Sequence, residues 1–260
     1  MADDNYVCLP IPLPPQTQAL NSPTFIIPPL DGTLSLPEIF DFHLQHSPNH
    51  PAFVYADRPG STHAILWHEV VRGLHQAGHI VRSRVEVEQA ERSHERPIIA
   101  LLALADTVTY MTTVFGIIRA GYAAFPISPR NSPAAIAHLL STKSVMHILI
   151  GGEQSLQSLA RTSLDLMKES TKKIPGSSQM PLFEEIYVDG KETTYNPLPV
   201  KRPDMNDPGI IVHSSGKYIV ELASSPDNLL QARRPFQSLY LGLITVCYKL
   251  QPNRFIWNAM

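Results

Sequence analysis

The sequence predicts an α/β fold with a mostly parallel sheet flanked by helices. Residues 97–104 read PIIALLAL, an almost continuous apolar run that is typical of a strand covered on both faces. Segments with helical spacing of apolar residues then alternate with short apolar strands as far as residue 213. Because such alternation is the pattern of repeated strand–helix–strand units, it favours parallel strands lying side by side.

The clearest local signals surround two predicted helices in the middle of the chain. Asp106 is placed to cap the first of them, and Gly121 to end it in the left-handed conformation that glycine adopts cheaply. Residues 122–127 follow as a short buried strand. Ser132 is placed to cap the second helix, with Pro133 at its first position, where a missing N–H costs nothing.

The other elements follow from periodicity and from turn residues. Further helices are predicted over residues 36–47, 68–84 and 153–168. Further strands are predicted over residues 52–55, 63–67, 145–150, 182–188 and 210–213. Two polar, proline-containing stretches are interpreted as surface connections, namely residues 171–179 and 192–207.

Composition narrows the classes of function. The 260 residues include 43% hydrophobic residues, and the formal net charge of -2 gives no basic surface for nucleic acid or an anionic membrane. No apolar run approaches the ~20 residues that span a bilayer. The two cysteines, Cys8 and Cys247, imply no disulfide framework, and the acidic start is no signal peptide. A cytoplasmic protein is therefore expected.

Two local patterns have both a functional and an ordinary interpretation. His75 and His79 stand four residues apart on a predicted helix, a spacing that can chelate a metal. No third ligand is evident, so we expect partly exposed helix residues and no metal site. The segment Gly151-Gly152-Glu153 joins a strand to a helix with only two glycines, and a plain turn is favoured over a nucleotide loop.

A longer stretch resembles a known family. Residues 116–140, GIIRAGYAAFPISPRNSPAAIAHLL, resemble the early core motif of adenylate-forming enzymes, the AMP-binding synthetase superfamily. The run Pro129-Arg130-Asn131-Ser132-Pro133 is similar to that motif in the adenylation domain of fungal NRPS-like carboxylate reductases. The similarity extends back to about residue 25 and forward to Gly216. It implies an incomplete N-terminal subdomain of an adenylate-forming enzyme.

The resemblance assigns a phosphate loop to Ser214, Ser215 and Gly216, which follow a predicted strand. Small residues of this kind present hydroxyl and backbone N–H groups to phosphate oxygens. The resemblance implies ATP and Mg²⁺ as cofactors and a carboxylic acid as substrate. In the family the loop continues with two Thr/Ser, Gly, any residue, Pro and Lys. Here Lys217-Tyr218 follows instead, so no catalytic residue is assigned and we expect this chain alone to be inactive.

The break after Gly216 divides the chain into three regions. Residues 1–35 are a Pro-rich leader, interpreted as a segment that wraps the domain or stays loose, with a ligand for an adaptor domain as the alternative. Residues 36–216 are a partial adenylation domain, and residues 217–260 are a tail outside the family pattern. Because Gly-Lys-Tyr can be encoded by a sequence that contains an intron start, the tail is hypothesised to be translated intron or out-of-frame sequence. A real short isoform or a pseudogene product is the alternative.

Two other functions compete with carboxylate activation. One is a non-catalytic fragment or interaction module that associates with itself or a relative through an exposed sheet edge or apolar surface. The other is a Rossmann-type dehydrogenase, which is disfavoured because neither its glycine fingerprint nor its ribose-binding acid occurs in the sequence.

Overall fold

The computed structural model is a three-layer α/β/α arrangement with a small hairpin packed beside it. It describes residues 22–29, 33–58, 61–85, 96–170, 173–188, 195–199, 208–213 and 219–223. Within that part of the chain, no helix is long and apolar enough to cross a membrane. The leader before residue 22, the charged stretch 86–95 and the apolar stretch 239–250 lie outside the described residues.

The central sheet has six strands, of which five are parallel. Two strands form a separate antiparallel hairpin, β1 (Pro51–Arg58) and β2 (Ser61–Leu66). The strands of the main sheet are β3 (Ile98–Leu102), β4 (Ala123–Pro126), β5 (His147–Ile150), β6 (Gly176–Gln179), β7 (Pro208–His213) and β8 (Ile219–Ala223). Their spatial order is β6-β5-β3-β4-β7-β8, and only β8 is antiparallel to its neighbour. The predicted parallel α/β fold is therefore confirmed.

The described residues include five α-helices, which lie on both sides of this sheet. They are α1 (Leu36–His46), α2 (Trp67–Arg84), α3 (Thr107–Arg119), α4 (Pro133–Thr142) and α5 (Gln154–Ser170). The predicted caps are confirmed. The Asp106 carboxylate accepts a hydrogen bond from the Thr109 N–H at 2.9 Å, and the Ser132 hydroxyl accepts one from the Ala135 N–H at 3.2 Å. Gly121 has φ 95°, the left-handed conformation expected at the end of α3.

The hydrophobic core consists of two clusters, one on each face of the main sheet. Ile99, Leu101 and Ala103 point toward α2 and α3 and are at most 5% exposed. Ala100 and Leu102 point the other way, into the cluster formed with α4 and α5. Because successive side chains of a strand alternate between faces, an apolar run is buried throughout only where both faces are covered. Helices on both sides of β3 provide that cover.

The prediction for residues 182–188 was wrong, because they form no strand. Residues Glu184–Val188 form a single π-helical turn instead. Ile186 and Tyr187 are buried against the β1–β2 hairpin and α2, while Leu182 and Val188 are exposed. Adjacent buried residues of this kind do not have the alternating burial of a strand, and the tertiary contact of Tyr187 with α2 and α3 decided the conformation.

The fifth parallel strand of the main sheet lies in residues 171–179, which were predicted to be a surface connection. Strand β6, Gly176–Gln179, reads GSSQ and pairs with β5 at the sheet edge. Such a sequence has no apolar alternation and low strand propensity. It is a strand because β5 offers a free edge of backbone groups, and only one side of β6 is paired.

Candidate functional site

The candidate site lies at the carboxyl edge of the parallel sheet, where β4 and β7 end side by side. Ala124 of β4 is paired with Ile210 of β7, so the two strands run in the same direction next to each other. The chain leaves β4 through residues 127–132 and leaves β7 at His213. Ligands of open parallel sheets bind at this edge, outside the carboxyl ends of the strands.

The loop after β4 is a compact, hydrogen-bonded turn. The Ile127 N–H donates to the Leu101 carbonyl at 2.9 Å and keeps the loop start joined to β3. The Asn131 N–H donates to the Ser128 carbonyl at 3.2 Å, and the Arg130 N–H donates to the Ser128 hydroxyl at 3.3 Å. These bonds close the turn, and the Arg130 side chain is exposed beside the sheet edge.

His213 connects this loop to the end of β7. Its Nε2 accepts a hydrogen bond from the Ser128 N–H at 3.4 Å. Its ring meets the Phe125 ring edge to face, with centroids 6.1 Å apart and planes at 89°. A neutral imidazole that accepts at Nε2 carries its proton on Nδ1. The histidine thus joins the end of β7 to the loop that follows β4.

The predicted phosphate-loop residues Ser214, Ser215 and Gly216 lie outside the described residues. The strands on either side of residues 214–218 are described. Strand β8 runs antiparallel to β7, with Val212 opposite Val220 and His213 opposite Ile219. Residues 219–223 of the tail therefore extend the main sheet by one strand.

The histidine pair on α2 serves packing. The His75 Nδ1 accepts from the Leu198 N–H at 2.9 Å, and the His79 Nε2 lies 2.7 Å from the Asn196 carbonyl oxygen. Both rings thus contact the segment 195–199. His75 is only 2% exposed, so the prediction of partly exposed residues was wrong for it. No group of three His, Cys, Asp or Glu that could hold a metal ion occurs among the described residues.

An ion pair that sequence analysis missed fixes α3 to α1. The Arg119 side chain is 8% exposed, and its guanidinium donates to both carboxylate oxygens of Asp41. The same guanidinium lies 3.1 Å from the His75 Nε2. Burial, with the Arg119 charge, lowers the pKa of His75 to about 4, so the ring is neutral at pH 7. The only sequence signal was a charged residue at the buried end of an apolar helix.

The segment Gly151-Gly152-Glu153 is a turn that starts α5. The Gly151 N–H donates to the Leu102 carbonyl at 3.0 Å, and the Gln157 side-chain amide donates to the Gly151 carbonyl at 2.7 Å. A polar depression of about 330 Å³ lies next to it, lined by Ile150, Gly152, Gln157, Ser177, Ser178 and Gln179. No charged side chain lines the depression, which gives a phosphate no counter-charge there.

Comparison with known proteins identifies the kind of domain. The family model described as AMP-binding enzyme matches residues 40–216. The chain is 38% identical over 214 residues to the adenylate-forming reductase Nps10 of Heterobasidion annosum and 37% identical over 203 residues to Nps11 of Serpula lacrymans var. lacrymans. These matches cover 80% and 74% of the chain. The chain spans only 19% and 17% of the length of these relatives.

Solved structures agree on the fold. A long-chain-fatty-acid–CoA ligase from Archaeoglobus fulgidus superposes with a TM-score of 0.55 at 15% identity, over 81% of this chain and 40% of that one. The anthranilate–CoA ligase AuaEII, solved in complex with anthranoyl-AMP, superposes with a TM-score of 0.53 at 16% identity, over 77% and 35%. Because the family model matches more than half of the chain and a relative is 38% identical over 80% of it, the chain belongs to the AMP-binding enzyme family.

Proposed function

We propose that residues 36–216 are part of an acid-activating adenylation domain. In the proposed reaction a carboxylate oxygen bonds to the α-phosphorus of ATP while the bond to the bridging oxygen breaks. The products are an acyl adenylate and pyrophosphate. The match to the AMP-binding family over residues 40–216 and the adenylate-forming reductases among the relatives support this proposal.

The observation that carries the proposal is the position of β7. The strand ends beside the β4 loop at the carboxyl edge of the sheet, with His213 in contact with Ser128. Ser214, Ser215 and Gly216 follow directly, and we propose that their hydroxyl and N–H groups bind the phosphates of ATP. Electrostatic stabilisation by such donors and by Mg²⁺ is the main source of catalysis in transfer at phosphorus. We assign no Mg²⁺ ligand, because no group of three or more His, Cys, Asp or Glu side chains that could hold a metal ion occurs in the described part of the chain.

We propose in addition that residues 1–260 do not complete this reaction on their own. Lys217-Tyr218 stands where the family pattern continues with Thr/Ser and Gly, and β8 begins at Ile219. The lysine that would hold the β and γ phosphates is therefore not at its family position in this loop. Without it, a bound triphosphate would lack a major part of its counter-charge.

Pyrophosphate exchange tests these proposals. Purified residues 1–260 are incubated with ATP, Mg²⁺, labelled pyrophosphate and a panel of aliphatic and aromatic carboxylic acids. We expect no acid-dependent label in ATP, and acid-dependent exchange would overturn the claim of inactivity. In parallel, cDNA is sequenced across the codons for Ser215 to Glu221. A transcript that continues into Thr/Ser-Thr-Gly-x-Pro-Lys supports the adenylation domain, and its longer product must then catalyse exchange.

A second candidate function is a non-catalytic interaction module. Antiparallel pairing of residues 219–223 with β7, with one register shift between Pro208 and Ile210, favours it, since this segment lies beyond the family match yet adds to the sheet. Such a module would be soluble and melt cooperatively, and we propose that it associates through its exposed sheet edge. Aggregation, or strong binding of the dye ANS, would contradict this function.

A further inference from the structure

The end of the leader packs on a pair of histidines beside α1. We call residues 22–29 the strap. Its Phe25 ring stacks on the His43 ring with centroids 5.3 Å apart and planes at 25°, and lies 4.8 Å from the His50 ring. The His43 ring also stacks on the Trp67 ring, with centroids 4.2 Å apart and planes at 13°. Phe25 therefore packs on two imidazole rings.

Few polar contacts hold the strap. The Ile26 N–H donates to the Ser47 hydroxyl at 2.9 Å, and the Thr24 hydroxyl lies 3.0 Å from the His50 Nδ1. The Ile26 and Ile27 side chains are 50% and 43% exposed, so they contribute little to docking. The Phe25 contact with the histidines is thus the main apolar attachment of the strap.

We propose that the strap is a pH-sensitive latch that is docked while His43 and His50 are neutral and detaches when they are protonated. His43 is 4% exposed, and its Nδ1 has no hydrogen-bond partner among the described residues. A charge there would be desolvated and unpaired, which is costly. Attraction between the cation and the Phe25 and Trp67 rings offsets only part of that cost. Detachment of the strap exposes both imidazoles to water.

Among the described residues, His50 is the one charged neighbour that shifts the pKa of His43, and it lowers that pKa. The strap has no ionisable side chain. The elements packed around the stack carry Glu38, Asp41 and His46 on α1, His50 in the following turn, and His68, Glu69 and Arg72 in the first half of α2. Glu38 is hydrogen-bonded to Ser35, and Asp41 is ion-paired with Arg119. Glu69 is occupied as an acceptor for the Leu66 N–H at 3.0 Å. Burial, then the nearby His50, lowers the pKa of His43 to about 4, and burial lowers the pKa of His50. Detachment is therefore expected as the pH falls from 6.5 toward 4.

Hydrogen exchange of the 260-residue chain tests the latch directly. Exchange of the peptide that covers the strap is measured by mass spectrometry from pH 7.5 to 4 and normalised to the free peptide at each pH. We expect protection of the strap to fall at least tenfold across this range, while peptides from α2 and α3 stay protected. A strap that stays protected at pH 4, or that loses protection together with α2 and α3, would overturn the proposal.

Substitutions separate the histidines from other causes. The double variant His43→Phe/His50→Gln keeps a stacked ring and a polar group but cannot be protonated, so its strap should stay protected at pH 4. In Phe25→Ala the strap should be unprotected from exchange at every pH. In His46→Gln the strap should lose protection with the same pH midpoint as in the unsubstituted chain. A double variant that releases its strap at the midpoint of the unsubstituted chain would contradict the latch. If the double variant does not fold, His50→Gln alone must lower the midpoint.

Tryptophan fluorescence gives a second readout. The chain has two tryptophans, and Trp257→Phe leaves Trp67, which stacks on His43, as the single emitter. A protonated imidazole quenches a neighbouring indole, so emission should fall with the same midpoint as strap protection. Emission that is independent of pH while the strap detaches would show that His43 stays neutral, and the proposed cause would be wrong.

Discussion

Arg119 and Asp41 form a two-pronged ion pair between α3 and α1, with nitrogen–oxygen distances of 2.6 and 3.0 Å. The Arg119 side chain is 8% exposed and the Asp41 side chain 26%. The pair holds α1 over the outer face of α3, and α1 in turn carries the histidine on which the strap packs. The ion pair thus connects α3 to α1 and, through His43, to the strap.

We expect Asp41→Asn to lower the free energy of unfolding by about 2–4 kcal/mol, because it leaves the Arg119 charge buried without its partner. The double variant Asp41→Asn/Arg119→Met should recover much of this loss, since it removes the unpaired charge and keeps an apolar chain in its place. Urea denaturation of the unsubstituted chain, Asp41→Asn, Arg119→Met and the double variant completes the double-mutant cycle. Strictly additive losses would show that the two residues do not interact.

The cap of α3 should contribute measurably to stability. The Asp106 carboxylate accepts hydrogen bonds from the N–H and the hydroxyl of Thr109, at 2.9 and 2.6 Å. Asp106→Ala should lower the free energy of unfolding by about 1–2 kcal/mol, the usual effect of losing a cap. Asp106→Asn, which keeps the acceptor, should lose less than half as much. Equal losses in urea denaturation would indicate that the charge, and not the hydrogen bond, is what matters.

Two glycines next to strands of the main sheet, Gly121 before β4 and Gly152 after β5, provide a matched test of backbone strain. Gly121 has φ 95°, so Gly121→Ala should lower the free energy of unfolding by about 1 kcal/mol or more. At Gly152 an added Cβ would meet only the Gln179 side-chain nitrogen, at 3.4 Å. We expect Gly152→Ala to change the free energy of unfolding by less than about 0.5 kcal/mol. Thermal melts of the two variants measure both changes. A larger loss at Gly152 than at Gly121 would refute the assigned backbone conformation.

The buried His75 should make stability depend on pH. Its pKa in the folded protein is lowered from 6.5 to about 4, so below pH 6.5 the unfolded chain binds a proton that the folded chain does not. The free energy of unfolding should therefore fall as the pH drops from 6.5 to 4, by at most about 1.4 kcal/mol per pH unit from this residue. Above pH 6.5 this dependence should be absent.

Urea denaturation at half-unit steps of pH measures this dependence. His75→Gln should flatten the slope between pH 4 and 6.5, because the proton uptake of the unfolded chain at this position is removed. His138→Gln, which removes an exposed histidine of α4, serves as the control for the loss of a histidine. An unchanged slope in His75→Gln would mean that this residue is not the source of the acid sensitivity.

Much of the fold was readable from local signals. The run at residues 97–104 predicted a doubly covered strand, and β3 lies third in a six-stranded sheet between helical layers. Asp106, Gly121 and Ser132 predicted helix ends, because caps act over three or four residues and need no distant partner. The resemblance over residues 116–140 predicted the family, which the match over residues 40–216 confirmed.

Local sequence signals gave wrong predictions where a residue far away in the sequence determines the local structure. Strand β6 was missed because GSSQ becomes a strand only beside β5, and residues 184–188 were misassigned because Tyr187 is held by Thr112 on α3. The Arg119–Asp41 pair joins residues 78 positions apart, and no pattern in one sequence encodes that distance.

The sequence by itself determined the family and most of the alternation of strands and helices. Its prediction of a phosphate loop at Ser214, Ser215 and Gly216 stays a prediction, because these residues lie outside the described part of the chain. Beyond the helix caps, only the tertiary structure decided which polar groups are paired. The sequence does not distinguish His75, His79 and His43. In the structure His75 lies beside Arg119, His79 lies beside the Asn196 carbonyl oxygen, and His43 stacks between Phe25 and Trp67. The physical reason is that periodicity and capping act within a few residues, whereas burial, hydrogen bonding and pKa depend on groups that folding brings together from far along the chain.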